Sequence, residues 1–300
     1  MSGRRIFRLF SRASIGHILQ ALYGRFAPNI PAGLRLRIQA YILPLVKKMM
    51  YKLFRDRGRV LPLAAPLEGH QMLLPWPDRK SYVLGTHEPG VCKVIQEYVK
   101  PGYIAFDIGA HIGYFTLLLT KQVGDQGLVI AFEPLEENFQ ALQKNVKMNH
   151  YDNVLLENKA VSEATGVAIL YRDEWDIFPA ASHLSESTRS RLFAYQVSTV
   201  SLDEYVNAKG IKHVHFMKID VEGAEERVIQ GMQGILLRDK PILVIEIHGE
   251  ADSSPSRALA ILQQAGYKLW KIDCNGIAGE APLEHRGHVL AVPNNEPKFP

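Results

Sequence analysis

Short apolar runs of strand length recur along the chain from Tyr103 to Val292, separated by amphipathic segments of helical length. The strands fall at 103–109, 128–133, 153–159, Val214–Ile219, Ile242–Ile247, Tyr267–Ile272 and Val289–Val292, and helical periods at 113–122, 136–148 and near Ser256–Ala265. Strand and helix in alternation predict a parallel sheet with helices on both faces, and seven such strands predict a doubly wound, Rossmann-like α/β sheet. Gly90–Val99 reads as a helix leading into the first core strand. After a proline-rich junction at 61–66, a meander through Gly69–Val83 reads as a strand pair. Gly166–Tyr171 and Val197–Ser201 read as extra extended segments. The polar stretch around Ala180–Arg189 between them is expected to be a mobile substrate loop.

Ligands of doubly wound sheets bind outside the carboxyl ends of the strands. The pattern puts Asp107, Glu133, Asn158, Asp220 and His248 at that edge, one per strand for five strands. The first strand runs through Asp107 into Gly109-Ala110-His111-Ile112-Gly113, where glycines let the backbone bend sharply and approach a ligand. The spacing is not the G-x-G-x-x-G of a dinucleotide site. A carboxylate two residues before the first glycine would repel a pyrophosphate, but it suits a ligand with an amino group and a sulfonium, which points to S-adenosyl-L-methionine. Asp107 as a simple helix cap is the alternative. The second strand ends at Glu133, twenty residues after Gly113, where a carboxylate can accept hydrogen bonds from ribose hydroxyls.

Composition adds two things. With 47% hydrophobic residues in 300, the chain can bury a substantial core. Its two cysteines, Cys92 and Cys274, form no C-x-x-C pair, so neither a disulfide framework nor a thiolate zinc site is expected and a reducing cytoplasm is the default. The net charge of +4 conceals an asymmetry: 13 of the 35 Lys and Arg lie in residues 1–60 beside one acid, leaving 22 bases against 30 acids in the rest. The chain therefore divides into a basic amphipathic helical arm, 1–60, and a mildly acidic catalytic domain, 61–300. No run is long and uncharged enough to span a bilayer, and Pro44 splits the apolar stretch Leu36–Phe54. The arm can cover the catalytic body or lie peripherally on an anionic membrane at its inner face. RNA is the third reading, and it has no RNA-binding signature behind it.

The segments FDIGAHIGYFT (106–116), IAFEP (130–134), NKAVSE (158–163), VSLDEYV (200–206) and FMKIDVEGAE (216–225) together resemble the FkbM-type S-adenosylmethionine-dependent methyltransferases over about residues 80–250. The resemblance implies the class I methyltransferase fold, a seven-stranded sheet whose last strand is antiparallel. It also implies methylation of a hydroxyl on a sugar, glycan, glycolipid or secondary metabolite. His111 departs from the pattern, since similar proteins usually carry Asn there.

Within that frame Gly109, Ala110, His111 and Gly113 are the expected backbone cradle, Asp107 lies toward the methionine end, and Glu133 binds the ribose. Asn158, Lys159 and Ala160 lie beside the adenine, with a plain turn role open for Asn158. Asp220 either orients the methionine amino group or takes the acceptor's proton. Glu222 faces the transferring methyl beside it, and His248 is the imidazole candidate for the base with Glu246 holding it. Lys218 is expected to pair with a buried acid. Glu88 is a candidate contact to cofactor or acceptor. No metal site is assigned, although Asp220, Glu222 and His248 carry oxygen and nitrogen donors that leave a divalent ion open. A nucleic-acid methyltransferase using the basic arm and a non-catalytic scaffold at a membrane are the competing readings. The absence of an Asn- or Asp-Pro-Pro-Tyr segment after the fourth strand counts against the former.

Overall fold

The computed structural model describes residues 59–74, 80–173, 182–183, 192–249 and 256–294. The expected arm thus lies outside the described residues, except for Arg59 and Val60, and so does most of the expected substrate loop. In chain order the elements are a hairpin, β1 (Arg59–Pro62) and β2 (Gln71–Leu74), then α1 (Lys80–Val83) and α2 (Pro89–Tyr98). The core begins with β3 (Ile104–Ile108), α3 (Tyr114–Val123), β4 (Leu128–Phe132), α4 (Glu136–Met148) and β5 (Val154–Glu157). Four short-sheet strands follow, β6 (Ala160–Val161), β7 (Gly166–Asp173), β8 (Ser182–His183) and β9 (Leu192–Val200). The second half is α5 (Leu202–Lys209), β10 (Phe216–Ile219), α6 (Glu225–Gln230), α7 (Gln233–Arg238), β11 (Ile242–Ile247), α8 (Arg257–Gln264), β12 (Tyr267–Asp273), β13 (Gly276–Glu280) and β14 (Gly287–Pro293).

The main sheet has the order β13-β12-β14-β11-β10-β3-β4-β5. The chain leaves β3 in one direction to build β4 and β5, then returns to the other side of β3 to build β10 and β11, all in parallel. That reversal opens a crevice at the carboxyl ends of β3 and β10, where such sheets hold their ligands. The last strand, β14, inserts antiparallel between β11 and β12, as the resemblance implied. An eighth strand, β13, extends the expected seven by folding back on β12 as a hairpin. The extended segments at 166–171 and 197–201 are longer than expected and form a separate sheet of order β6-β9-β7-β8. The meander is corrected: β2 pairs with β1 from the proline-rich junction, and Lys80–Val83 is helical. Helices α5, α6 and α7 carry no clear period of their own in so few residues, and the pattern missed them.

Each face of the sheet closes its own core. Phe106, Ile108, Phe132, Met217, Ile219 and Ile245 point to one side with α5 to α8. Ala105, Val129, Phe216, Val244 and Leu290 point to the other with α2 and α3. Helix α3 is enclosed by sheet and α2, so eight of its ten residues are buried and its sequence is apolar nearly all round. In contrast α4 shows one apolar face, with Glu136 and Glu137 in its first turn and Lys147 in its last, matching the helix dipole. Asn145 on α4 ties the hairpin to the glycine loop: its Oδ1 accepts from Leu73 N at 2.6 Å and its Nδ2 donates to Ile112 O at 2.8 Å.

Gly109 is fixed by a close crossing of chains. It has φ of 83°, and a Cβ there would lie 1.8 Å from the Asp220 carbonyl oxygen, so the end of β10 packs onto the loop with no room for a side chain. Gly109→Ala is expected to destabilise the fold by roughly 2–4 kcal/mol, combining left-handed strain with overpacking against backbone. Urea unfolding of the variant beside the parent measures it.

Candidate active site

At the reversal point lies a cavity of about 300 Å³. It is lined from β3 and its loop by Gly109, Ala110 and His111, from β4 by Glu133, from β10 by Lys218, Asp220 and Glu222, and from β11 by Glu246 and His248. Lys159, Ala160 and Glu88 also line it. Among the described residues, three of the five non-glycine residues with positive φ, Glu88 (41°), His111 (51°) and Glu222 (51°), line this cavity. Such conformations cost on the order of 1–3 kcal/mol each and concentrate where side chains must be aimed.

Four N–H groups of the glycine loop are already engaged. Gly109 and Ala110 N–H both donate to Phe132 O, His111 N–H donates to Glu133 Oε2 at 2.9 Å, and Gly113 N–H donates to Ala110 O. Its contribution is therefore a shaped wall, without a nest of free amides. Gly113 does not line the cavity; it opens α3 against Leu142. Glu133 is buried and also accepts from Leu135 N at 3.0 Å and Asn138 Nδ2 at 3.3 Å. Three of about four acceptor positions of the carboxylate are thus filled, which leaves one for a ligand hydroxyl. Burial pushes its pKa up to about 7, against the pull of these donors. Asn158 Nδ2 donates to Glu133 O and Pro134 O, so it serves the turn and lies outside the cavity wall.

Beneath the cavity floor is a buried charge array. Asp107 and Lys218 are register partners on β3 and β10, fully buried on the same face of the sheet. Asp107 Oδ2 accepts from Thr116 Oγ1 at 2.6 Å, while its Oδ1 has no hydrogen-bond partner. Burial pushes its pKa up, Lys218 and Thr116 notwithstanding. Lys218 Nζ donates to Asp220 Oδ2 at 3.0 Å and sits 4.5 Å from the centroid of the Phe115 ring. Burial alone would neutralise this lysine, but Asp220, Glu88 and Asp107 outweigh it and hold the pKa above the ordinary range. Asp220 is in turn held below the usual carboxylate range, since Lys218 overcomes its own desolvation.

Above the array stands His248. Its Nδ1 lies 2.7 Å from Glu225 Oε1, and its Nε2 lies 3.3 Å from Glu222, 3.7 Å from Glu246 and 3.9 Å from Asp220. The residue that holds the imidazole is thus Glu225, at the start of α6, rather than Glu246. Burial would lower the His248 pKa, but the Glu225 hydrogen bond and the surrounding carboxylates raise it to about 9. Burial also pushes Glu222 up to about 7, with His248 opposing and Asp220, Glu246 and Glu225 assisting. Glu246 faces away from that contact toward His288, its direct cross-strand neighbour on β14, which also meets Glu88. His288 went unrecognised because it precedes the apolar run 289–292. Glu225 was hidden in a helix too short to show a period.

Comparison with known proteins bears on the family. The sequence profile described as Methyltransferase FkbM domain matches residues 107–269, over half of the chain. The chain belongs to the FkbM methyltransferase family. The match starts at Asp107 and reaches into β12, later at both ends than the 80–250 expected. The chain is similar to 31-O-demethyl-FK506 methyltransferase FkbM of Streptomyces tacrolimicus, 25% identical over 57% of this chain and 75% of the relative. It is also similar to hexuronic acid methyltransferase AglP of Haloferax volcanii, 23% identical over 59% and 69% respectively. Among solved structures, methyltransferase FkbM of Methylobacillus flagellatus aligns over 67% of this chain and 50% of its own, at 16% identity and a TM-score of 0.39. As an FkbM-family protein with the class I sheet order, the chain is an S-adenosylmethionine-dependent methyltransferase. No described helix is long and apolar enough to cross a membrane.

The cavity fits that cofactor. Its lining includes Asp220 and Glu222, which suit an amino group and a sulfonium, and Glu133 keeps one acceptor position that a ribose hydroxyl would fill. In this FkbM-family site the structure brings together Gly109, Ala110, His111, Glu133, Lys159, Ala160, Asp220, Glu222 and His248, and leaves Asp107, Gly113 and Asn158 behind its wall. The oxygen and nitrogen donors raised for Asp220, Glu222 and His248 regroup, with Glu246 taking the place of Glu222 within 4.8 Å of the other two. Those of Asp220 and His248 are engaged by Lys218 and Glu225. Replacing Lys218 by Met is expected to cost about 3–5 kcal/mol of stability, because it leaves buried carboxylates uncompensated. Denaturant unfolding at neutral pH checks this.

Proposed function

We propose that this FkbM-family protein is an O-methyltransferase acting on a hydroxyl of a sugar, glycan or secondary metabolite, with Glu222 as the general base. The observation that carries the reading is a carboxylate whose pKa is pushed to about 7, held in a strained left-handed turn at the mouth of the cofactor cavity. A base works best when its pKa lies near the operating pH. Asp220, tied to Lys218 and more acidic than usual, is a poor base and a good anionic partner for the methionine amino group. His248 at about 9 is an imidazolium at neutral pH, which fits it to steady Glu222 and Asp220 rather than to take a proton. The names of the two curated relatives, one for an O-demethylated acceptor and one for a hexuronic acid, support a hydroxyl-bearing acceptor.

Bound S-adenosylmethionine supplies an activated methyl group. The protein aligns the acceptor oxygen in line with it, an effect worth on the order of 7–11 kcal/mol, and Glu222 removes the hydroxyl proton, worth about 10²- to 10⁴-fold. Glu133 and the loop hold the nucleoside, and Asp220 holds the methionine end. We assign residues 61–300 to this catalytic unit and residues 1–60 to a basic arm that contacts the body or an anionic membrane.

Calorimetric titration with S-adenosylhomocysteine is expected to show binding, and Glu133→Ala to weaken it by roughly 10- to 100-fold through loss of a charge-assisted hydrogen bond. Absence of binding in a folded sample would sink the reading. On an acceptor found by screening, kcat should fall about tenfold per pH unit below roughly pH 7, where Glu222 is protonated. Glu222→Gln should lower kcat by about 10²- to 10⁴-fold and abolish that acid limb. A limb that persists in the variant assigns the base to another group.

A further inference from the structure

One oxygen of Glu225 joins two parts of the site. Glu225 opens α6, is 5% exposed and does not line the cavity. Its Oε1 accepts from Gly223 N–H at 2.9 Å and from His248 N–H at 3.4 Å, and lies 2.7 Å from His248 Nδ1. The first contact ties down the turn in which Glu222 (φ 51°) and Gly223 (φ 98°) both take left-handed conformations. A turn of this kind stores strain and persists only where its neighbours over-determine it. The other two contacts hold the end of β11 and the imidazole, 23 residues farther on. An acid in the first turn of a helix commonly serves the dipole and the orphan amides. Glu225 meets that need through Gly223 alone, and the contact with His248 goes beyond it.

The same geometry fixes the state of the ring. An ionised carboxylate can only accept, so Nδ1 carries a proton toward Glu225. Nε2 faces Glu222 at 3.3 Å, Glu246 on its own strand at 3.7 Å and Asp220 at the end of β10 at 3.9 Å. With carboxyl groups at both nitrogens the ring is an imidazolium at neutral pH, in keeping with its pKa of about 9. Farther out stand Lys218 on Asp220, His288 between Glu246 and Glu88, and Arg286 beside Gly249 just past the ring.

We propose that Glu225 is a positioning residue for methyl transfer, fixing the Glu222 turn and the imidazolium against each other and so setting how readily Glu222 takes the acceptor's proton. This rests on the reading of Glu222 as the general base. Without the Glu225 charge His248 loses its largest support as a cation. Two changes then reach Glu222. Loss of the imidazolium favours its protonated form, and loss of the Glu225 charge favours the ionised form; the imidazolium, 3.3 Å away, is the larger influence. The Glu222 carboxyl therefore becomes harder to ionise, and the acid limb of kcat moves to higher pH with it. A residue that served only the helix end would leave the titrations of His248 and Glu222 where they are.

The test is an NMR pH titration of the full chain, with isotope-labelled glutamate carboxyl carbons in one sample and labelled histidine ring nitrogens in another. Loss of a resonance in Glu222→Gln and in His248→Gln identifies the two groups, and separates Glu222 from Glu133, the other carboxyl raised to about 7. Glu225→Gln keeps an oxygen for Gly223 N–H and an amide for Nδ1 while removing the charge. In that variant the His248 midpoint is expected to fall by about one pH unit, tenfold in proton affinity, and the Glu222 midpoint to rise by about half a unit. Calorimetry with S-adenosylhomocysteine should change by less than about threefold, since Glu225 lies outside the cavity wall. Midpoints that both stay put in cooperatively melting Glu225→Gln overturn the proposal, as does a Glu222 midpoint that stays while that of His248 falls. Loss of S-adenosylhomocysteine binding with both midpoints unmoved assigns Glu225 to the cofactor site and equally overturns it. If Glu225→Gln does not melt cooperatively, His248→Gln takes its place, since it leaves the Gly223 contact intact; an unmoved Glu222 midpoint there also overturns the proposal. A parent in which Glu222 does not titrate near neutrality overturns the base reading and this inference together. A parent in which it does, with the midpoint unmoved in the variants, overturns this inference alone.

Discussion

A buried lysine governs this site. Lys218 sits 2% exposed in the middle of a parallel sheet, and no fold tolerates that without carboxylates at hand. Strand register supplies one by placing Asp107 beside it, and the strand supplies another by turning Asp220 to the same face two residues on. The remaining polar groups follow from that face. Glu246 and His248 lie on it farther along β11, and His288 joins by pairing with Glu246. The result is a continuous row of ionisable groups from the cavity floor to the start of α2, set by backbone hydrogen bonding and not by flexible loops.

Neighbours then divide the roles among chemically similar side chains. Asp220 contacts a permanent cation and becomes more acidic; Glu222, two residues later and lacking that contact, is pushed toward neutrality. Asp107 is forced upward by complete burial although Lys218 is its register partner. Three neighbouring carboxyl groups thereby span an anion, a group poised near neutrality and a buried hydrogen-bond acceptor. The end of β10 is tied to the loop where Asp220 N–H donates to Ile108 O, and its carbonyl packs directly on Gly109.

In the glycine loop the glycines stand where the pattern put them and serve packing that the pattern did not show. Flexibility and close approach to a ligand were the sequence argument for Gly109 and Gly113, yet one admits a carbonyl of β10 and the other admits Leu142. Likewise Glu133 lines the cavity as expected, but it also anchors the loop through His111 N–H. Residues at the edge of a doubly wound sheet serve packing and ligand together, and a motif records only that both are met.

What the sequence determined by itself was the sheet, its order of helices, the acidic loop, the acid at the end of β4 and the KIDVEG segment, hence the cofactor and reaction class. These are local features: hydrophobic period, glycine spacing and a charge at a strand end are written in consecutive residues. Only the tertiary structure decided that Glu225 holds His248, that His288 joins Glu246 and Glu88, that Asn158 serves a turn, and that β13 and the small sheet exist. Each of these depends on residues brought together from distant parts of the chain or on register between strands. Glu88 and His288 are separated by two hundred positions, and no periodicity links them; antiparallel pairing of β14 with β11 and the docking of α2 do.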